Sequence, residues 1–181
     1  AIAVLFVGSG FERKGLKFLI NAIAAIKDMS DIRLIVVGKG SQKRYLRQAE
    51  ELGVKGRVVF KGPQKDTLSY YAAADIFCLP SIYEPFSNAC LEAMASGLPV
   101  VASEATGASE IIRHCESGAV VKDPADTDEL GNALRLFLDA DKRKKAGSLA
   151  RQIASGHTIA DKVSQFMRLI EKVRREKSNQ H

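Results

Sequence analysis

The chain holds no tryptophan, few of its aromatics look exposed, and no stretch matches a nucleic-acid recognition motif, so nucleic acid is set aside as a partner despite a net charge of +6. No apolar run approaches the roughly 20 residues that span a bilayer. The three cysteines (Cys78, Cys90, Cys115) are odd in number, lie in apolar contexts and lack metal-ligand spacing. That reads as reduced thiols in the cytoplasm rather than a disulfide scaffold. His114 and His157 have no metal-like partners and His181 is terminal, so no metal site and no cofactor are expected. Ser103, Thr106 and Ser109 have no neighbouring histidine, which removes nucleophilic catalysis of the triad type. There is no internal repeat, no low-complexity segment and no basic leader of the signal-peptide kind. The missing initial methionine gives the expectation of a chain cut from something longer.

What remains, in 181 residues of 46% hydrophobic and 27% charged composition, is a globular chain long enough to bury a core. Short apolar runs alternate with segments of helical period. Strands are expected at Ala1 to Val7, Ile32 to Val37, Arg57 to Phe60, Asp75 to Leu79, Leu98 to Ala102 and Ala119 to Val121. Between them, helices are expected at 15 to 28, Tyr45 to Leu52, Leu68 to Ala73, Phe86 to Gly97 and Glu110 to His114. Strands that are apolar throughout, rather than alternating, belong to a parallel sheet covered on both faces. The expected fold is therefore a doubly wound, Rossmann-like α/β domain with a six-stranded sheet, spanning about residues 1–125. A helical tail follows over 126–181, with basic runs at Lys142 to Lys145 and Arg168 to Lys177.

In such a sheet, ligands bind outside the carboxyl ends of the strands. Four post-strand loops converge on that edge: Gly8 to Gly15, Gly38 to Ser41, Lys61 to Gln64, and Pro80 to Ser87. The first, Gly8-Ser9-Gly10-Phe11-Glu12-Arg13-Lys14-Gly15, has Arg13 where a dinucleotide fingerprint has its third glycine, and it is no phosphate-loop NTPase motif. It presents two cations beside a helix start, suited to a diphosphate. The last loop carries Glu84 into a helix that contains Glu92. A helix start offers unpaired backbone N–H groups and partial positive charge to a phosphate. Carboxylates on either side of an anion site suit neutral hydroxyls, and hydroxyls flanking a phosphate describe a nucleotide sugar. Glu92 sits among Ala89, Leu91, Ala93, Met94 and Ala95, an apolar setting in which a carboxylate needs a partner.

The motif Glu84-Pro85-Phe86-x5-Glu92, preceded by Ala73-Ala74-Asp75 and Pro80-Ser81-Ile82-Tyr83 and followed by Ala93-Met94-Ala95-Ser96-Gly97-Leu98-Pro99-Val100-Val101, resembles the E-x7-E signature of retaining glycosyltransferases of the GT-B fold, glycosyltransferase-4 type. Val37-Gly38-Lys39-Gly40, Val58 to Gly62 and Lys14-Gly15 fall in that family's order, and Phe6 to Gly15 is similar to the lipopolysaccharide-core glucosyltransferase branch. The resemblance covers essentially the whole chain. It implies the C-terminal, donor-binding half of the enzyme, whose N-terminal acceptor half is absent. It also implies that Lys14 and Arg13 neutralise the diphosphate, that Glu84 faces the donor sugar, and that the backbone of Phe86, Ser87 and Asn88 holds sugar and phosphates. Glu92 would accept from the ribose, Pro63 and Gln64 would touch the base, and Gly8, Ser9 and Gly10 would shape the phosphate loop. Two positions depart from the pattern: Ser9 lies near the place of a frequent arginine, and Ser87 stands where glycine is usual.

The resemblance implies transfer of a hexose from a nucleotide diphosphate sugar, UDP-glucose first, to a lipopolysaccharide-core or other glycan acceptor with retention of configuration and no metal requirement. The isolated domain is expected to bind donor without transferring it. A nucleotide-sugar epimerase or hydrolase of the same fold, or a non-catalytic sugar-nucleotide-binding module, stay open as alternatives. The expected setting is cytoplasmic, with the basic tail giving peripheral contact to the anionic inner face of the membrane.

Overall fold

In the computed structural model, which describes residues 1–26, 31–157 and 159–178, six strands form one parallel sheet in the order β3-β2-β1-β4-β5-β6. They are β1 Ile2–Val7, β2 Ile32–Val37, β3 Val58–Gly62, β4 Ile76–Leu79, β5 Val100–Ser103 and β6 Gly118–Val121. The helices are α1 Leu16–Ala25, α2 Lys43–Glu51, α3 Leu68–Ala73, α4 Asn88–Ala95, α5 Thr127–Arg135, α6 Ala140–Ser155 and α7 Ile159–Ser178. The helices that cross over between these parallel strands cover both faces of the sheet. Accordingly α1 packs with α2 and α5, and α4 packs with α6. The chain runs outward from β1 to β3 and returns to lay β4 beside β1, so the strand order reverses between β1 and β4. That reversal opens a crevice at the carboxyl edge. Every residue of β4 and β5 is buried, which is why these strands read as continuous apolar runs rather than alternating ones.

Of the five helices expected between the strands, Leu68 to Ala73 keeps its limits, Tyr45 to Leu52 is observed two residues earlier at its start and one at its end, and the other three differ as follows. The first begins at Leu16, because Gly15 holds a left-handed conformation (φ +73°) as its cap, and residues 27 and 28 of the expected range lie outside those described. The helix expected from Phe86 begins at Asn88, because the Ser87 hydroxyl caps it by accepting from the Cys90 N–H. The helix expected at Glu110 to His114 is instead a 3₁₀ turn over Gly107–Glu110, after which the chain bridges back at His114 to Gly118.

The tail packs on this sheet through α6. Arg143 pairs with Asp75 at 3.2 Å and donates to the carbonyls of Phe137 and Leu138, both at 3.0 Å. Arg151 caps the far end of α4 by donating to the carbonyls of Ala95 (3.1 Å) and Ser96 (3.2 Å). The helix at the heart of the binding edge is thus held at its carboxyl end by the tail. In α7, by contrast, every described side chain is exposed, including Val163, Phe166, Met167, Ile170 and Val173.

Gly15 is the tightest joint between the two loops at the crevice. A Cβ there would lie 1.8 Å from the Pro80 carbonyl oxygen, so the loops after β1 and β4 approach as closely as bare backbone allows. Gly15→Ala adds left-handed strain and a clash with rigid backbone. It should destabilise the domain by about 3 kcal/mol, lowering Tm by roughly 6–12 °C in a thermal melt. An unchanged Tm would mean the two loops can separate freely.

Candidate functional site

At the sheet's reversal the loops after β1 and β4 meet. Lys14 and Arg13 come from the first and Glu84 from the second, 70 residues away. Lys14 Nζ lies 2.7 Å and Arg13 Nη1 3.1 Å from the same carboxylate oxygen, Glu84 Oε2. Arg13 also donates to the Tyr83 carbonyl at 2.7 Å. The side chains of Lys14 and Glu84 are each 12% exposed, whereas that of Arg13 is 48% exposed, so the lysine–glutamate pair is the sheltered one. Burial pushes the Glu84 carboxyl up, but the hydrogen bond and charge of Lys14, joined by those of Arg13, outweigh it and leave the group below its ordinary value.

Gly8 makes the lysine's reach possible. A Cβ at Gly8 would sit 2.5 Å from Lys14 Cδ and 2.6 Å from Cε, so the lysine stem lies across a residue that must have no side chain. The rest of the loop is tied locally. The Gly8 N–H donates to the Val37 carbonyl, Lys14 N–H donates to the Gly10 carbonyl, and Ser9 Oγ accepts from the Lys39 N–H at 3.3 Å. The exposed flank of Arg13 lines a groove of about 680 Å³ with Glu12, Arg44, Tyr45 and Ile82.

Glu84 is held by backbone as well as by charge. Its N–H donates to the Ala105 carbonyl and its carbonyl accepts from the Gly107 N–H, both at 2.9 Å, forming a bridge between Glu84 and Thr106. On the other side the Ile82 N–H donates to the Arg13 carbonyl at 2.8 Å. The loop after β4 is therefore pinned between the loops after β1 and β5. The residues Ala105 to Gly107 carry no chemical signature, and only the adjacency of β4 and β5 assigns them this role.

Phe86 is 41% exposed, Asn88 is exposed, and Ser87 is buried. Ser87 has φ −109°, an ordinary extended value, so the place usually taken by glycine accepts serine without strain. The N–H groups of Asn88 and Ala89, in the first turn of α4, have no acceptor within the helix. Beneath them the Cys90 thiol is pushed up to about 12 by burial, as suits an inert packed cysteine.

Glu92 departs from the sequence reading. It is exposed rather than set among buried neighbours, because α4 buries the face carrying Cys90, Ala93 and Met94. Its partner is Tyr71 of α3, whose hydroxyl donates to Glu92 Oε2 at 2.9 Å. Pro63 and Gln64 lie exposed after β3 at the same sheet edge. Gln64 turns its amide to the Lys61 carbonyl, and no hydrogen bond or ion pair among the described residues joins either to the Glu84 cluster. The structure thus gathers Gly8, Arg13, Lys14 and Glu84 into one contact set, places Ser87 and Asn88 at the adjoining helix start, and leaves Pro63 and Gln64 apart.

Comparison with known proteins adds to this geometry. Residues 2–153 match the family described as glycosyl transferases group 1. The chain is 36% identical over 140 residues to the lipopolysaccharide core biosynthesis glycosyltransferase LpsD of Rhizobium meliloti, covering 77% of this chain and 40% of that protein. It is 33% identical over 137 residues to the lipopolysaccharide glucosyltransferase WaaG of Escherichia coli, covering 75% of this chain and 37% of that one. Among solved structures it superposes on Anabaena HepE in complex with UDP-glucose with a TM-score of 0.81 at 31% identity, covering 95% of this chain and 48% of that one. The chain therefore spans less than half the length of each of these relatives.

Proposed function

We propose, starting from the fact that this chain belongs to the glycosyl transferases group 1 family, that it is the donor-binding half of a retaining glycosyltransferase that moves a hexose from a UDP-sugar to a lipopolysaccharide-core or related glycan. The observation that carries this reading is the Lys14–Glu84–Arg13 cluster beside the start of α4. Two cations and a helix N-terminus at one point of the crevice suit a diphosphate leaving group. UDP-glucose as donor is supported by the likeness to HepE, whose structure holds it, and the acceptor class by the likeness to LpsD and WaaG. The whole protein then carries an acceptor-binding half as well, and this domain alone binds donor without transferring it.

In the proposed reaction the bond from the sugar's anomeric carbon to the diphosphate oxygen breaks, and the acceptor oxygen bonds to that carbon on the same face. The acceptor's proton passes to the departing diphosphate. Lys14, Arg13 and the first-turn N–H groups of α4 carry the developing charge without a metal ion. A front-face course suits a site whose one sheltered carboxylate, Glu84, is tied to both cations rather than free as a nucleophile. Glu84 borders the sugar, Glu92 takes the ribose hydroxyls, and Pro63 and Gln64 border the base.

Calorimetric titration of this chain should find UDP and UDP-glucose bound with Kd within about 1 μM–1 mM, more tightly than ADP or GDP. Absence of binding by all four at millimolar concentration would remove the donor-site reading. Transfer by the whole protein to an added glycan, with no epimer formed, separates this reading from an epimerase or hydrolase.

No helix of the described residues is long and apolar enough to cross a membrane. The proposed setting is the cytoplasmic face of the membrane. Arg168, Lys172 and Arg175 beside exposed Phe166, Met167 and Ile170 on α7 support peripheral contact there. Sedimentation with vesicles should rise with the phosphatidylglycerol fraction; binding indifferent to anionic lipid would remove the membrane contact.

A further inference from the structure

We infer that Tyr71 is a positioning residue that fixes the Glu92 carboxylate for a ribose diol, and so sets how well the domain tells ribonucleotides from deoxyribonucleotides. The inference rests on the donor-site reading above. Tyr71 is wholly buried, with its ring against Phe77 of β4 at a centroid separation of 5.9 Å. A ring packed in this way has no second rotamer available without opening the core. Its hydroxyl is thus a fixed point, presented through the wall of the domain to the exposed carboxylate of Glu92, 2.9 Å away.

The chemistry of that contact is asymmetric. A tyrosine hydroxyl has one hydrogen to donate, and here it goes to Glu92 Oε2. Glu92 Oε1 has no hydrogen-bond partner among the described residues, so the carboxylate keeps acceptor capacity for two neighbouring hydroxyls. An exposed glutamate on a helix otherwise samples several rotamers, and a ligand would have to select one of them. Burial first, then the Glu92 charge, pushes the Tyr71 hydroxyl's pKa up, so it stays a donor across the working pH range. Nothing else in α3 requires a hydroxyl at this position, because a phenylalanine would fill the same space.

The test is calorimetry on this chain with UDP and with 2′,3′-dideoxy-UDP, for the wild type, Tyr71→Phe, Glu92→Asp and Glu92→Gln. Tyr71→Phe should weaken UDP by about 3–10-fold while leaving dideoxy-UDP within about twofold of wild type, so the preference for the diol shrinks. Glu92→Asp keeps a carboxylate but falls one methylene short of Tyr71 Oη, and it should behave the same way. Glu92→Gln should remove most of the preference. If Tyr71→Phe weakens both ligands equally, its role is structural and the proposal fails. A wild-type preference in Tyr71→Phe or in Glu92→Asp, with a lowered one in Glu92→Gln, overturns the proposal and leaves the donor reading standing. A wild-type preference in Glu92→Gln overturns both.

Discussion

Lys14→Ala should lower the turnover of the proposed full-length glycosyltransferase by about 10²–10³-fold, the usual effect of deleting one preorganised charge aimed at a developing anion. The structure gives this expectation a specific basis. Lys14 is 12% exposed and its stem lies across Gly8, so its ammonium is sheltered and held at the Glu84 carboxylate. Arg13 is half exposed and anchored to the Tyr83 carbonyl, which places its guanidinium at the rim rather than in the crevice. Arg13→Ala should therefore cost less than Lys14→Ala. The measurement is kcat under saturating donor, with UDP affinity of this chain measured in parallel. Near-native turnover in the Lys14 variant would show that the lysine is not part of the diphosphate site.

The sheet was legible because its strands are buried on both faces and so read as apolar runs, as Ile76 to Leu79 and Val100 to Ala102 show. The placement of ligand loops at the carboxyl edge followed from that fold alone. Partnerships across the crevice were not legible. Lys14 and Glu84 are 70 residues apart, and only the adjacency of β1 and β4 brings them together. The clamp of Glu84 by Ala105 and Gly107 uses backbone groups, which any residue type supplies. Glu92 misled for a different reason. Helix α4 carries apolar residues on both faces, so its pattern did not mark the side with Cys90, Ala93 and Met94 as the buried one. Tyr71 gave no polar signal because a tyrosine in a short helix reads as packing, and its ring does pack.

Glu84→Gln should move binding and chemistry in opposite directions. One carboxylate oxygen of Glu84 accepts from both Lys14 and Arg13, so in the proposed reading the donor's diphosphate shares those donors with a neighbouring negative charge. Glutamine keeps the shape and one acceptor oxygen but removes the charge. UDP affinity should rise by about 3–10-fold, the size of a modest relief of like-charge repulsion. Turnover of the whole enzyme should fall by about 10²-fold, because the carboxylate that holds Lys14 and Arg13 in register, and that borders the sugar in the proposed mechanism, is lost. The pH dependence of stability supplies an independent check. Burial raises the Glu84 carboxyl, but Lys14 and Arg13 bring it below its unfolded value. Its contribution is therefore fully present at neutral pH and is lost as pH falls through the depressed folded value. The Tm of the wild type should exceed that of Glu84→Gln at pH 7, and the gap should close below about pH 4. A gap constant from pH 3 to 7 would mean that the ion pair adds nothing to folding. Unchanged UDP affinity in the variant would mean that the carboxylate and the diphosphate do not compete. Increased affinity with reduced turnover would identify Glu84 as the group that holds the cations in place for the departing diphosphate.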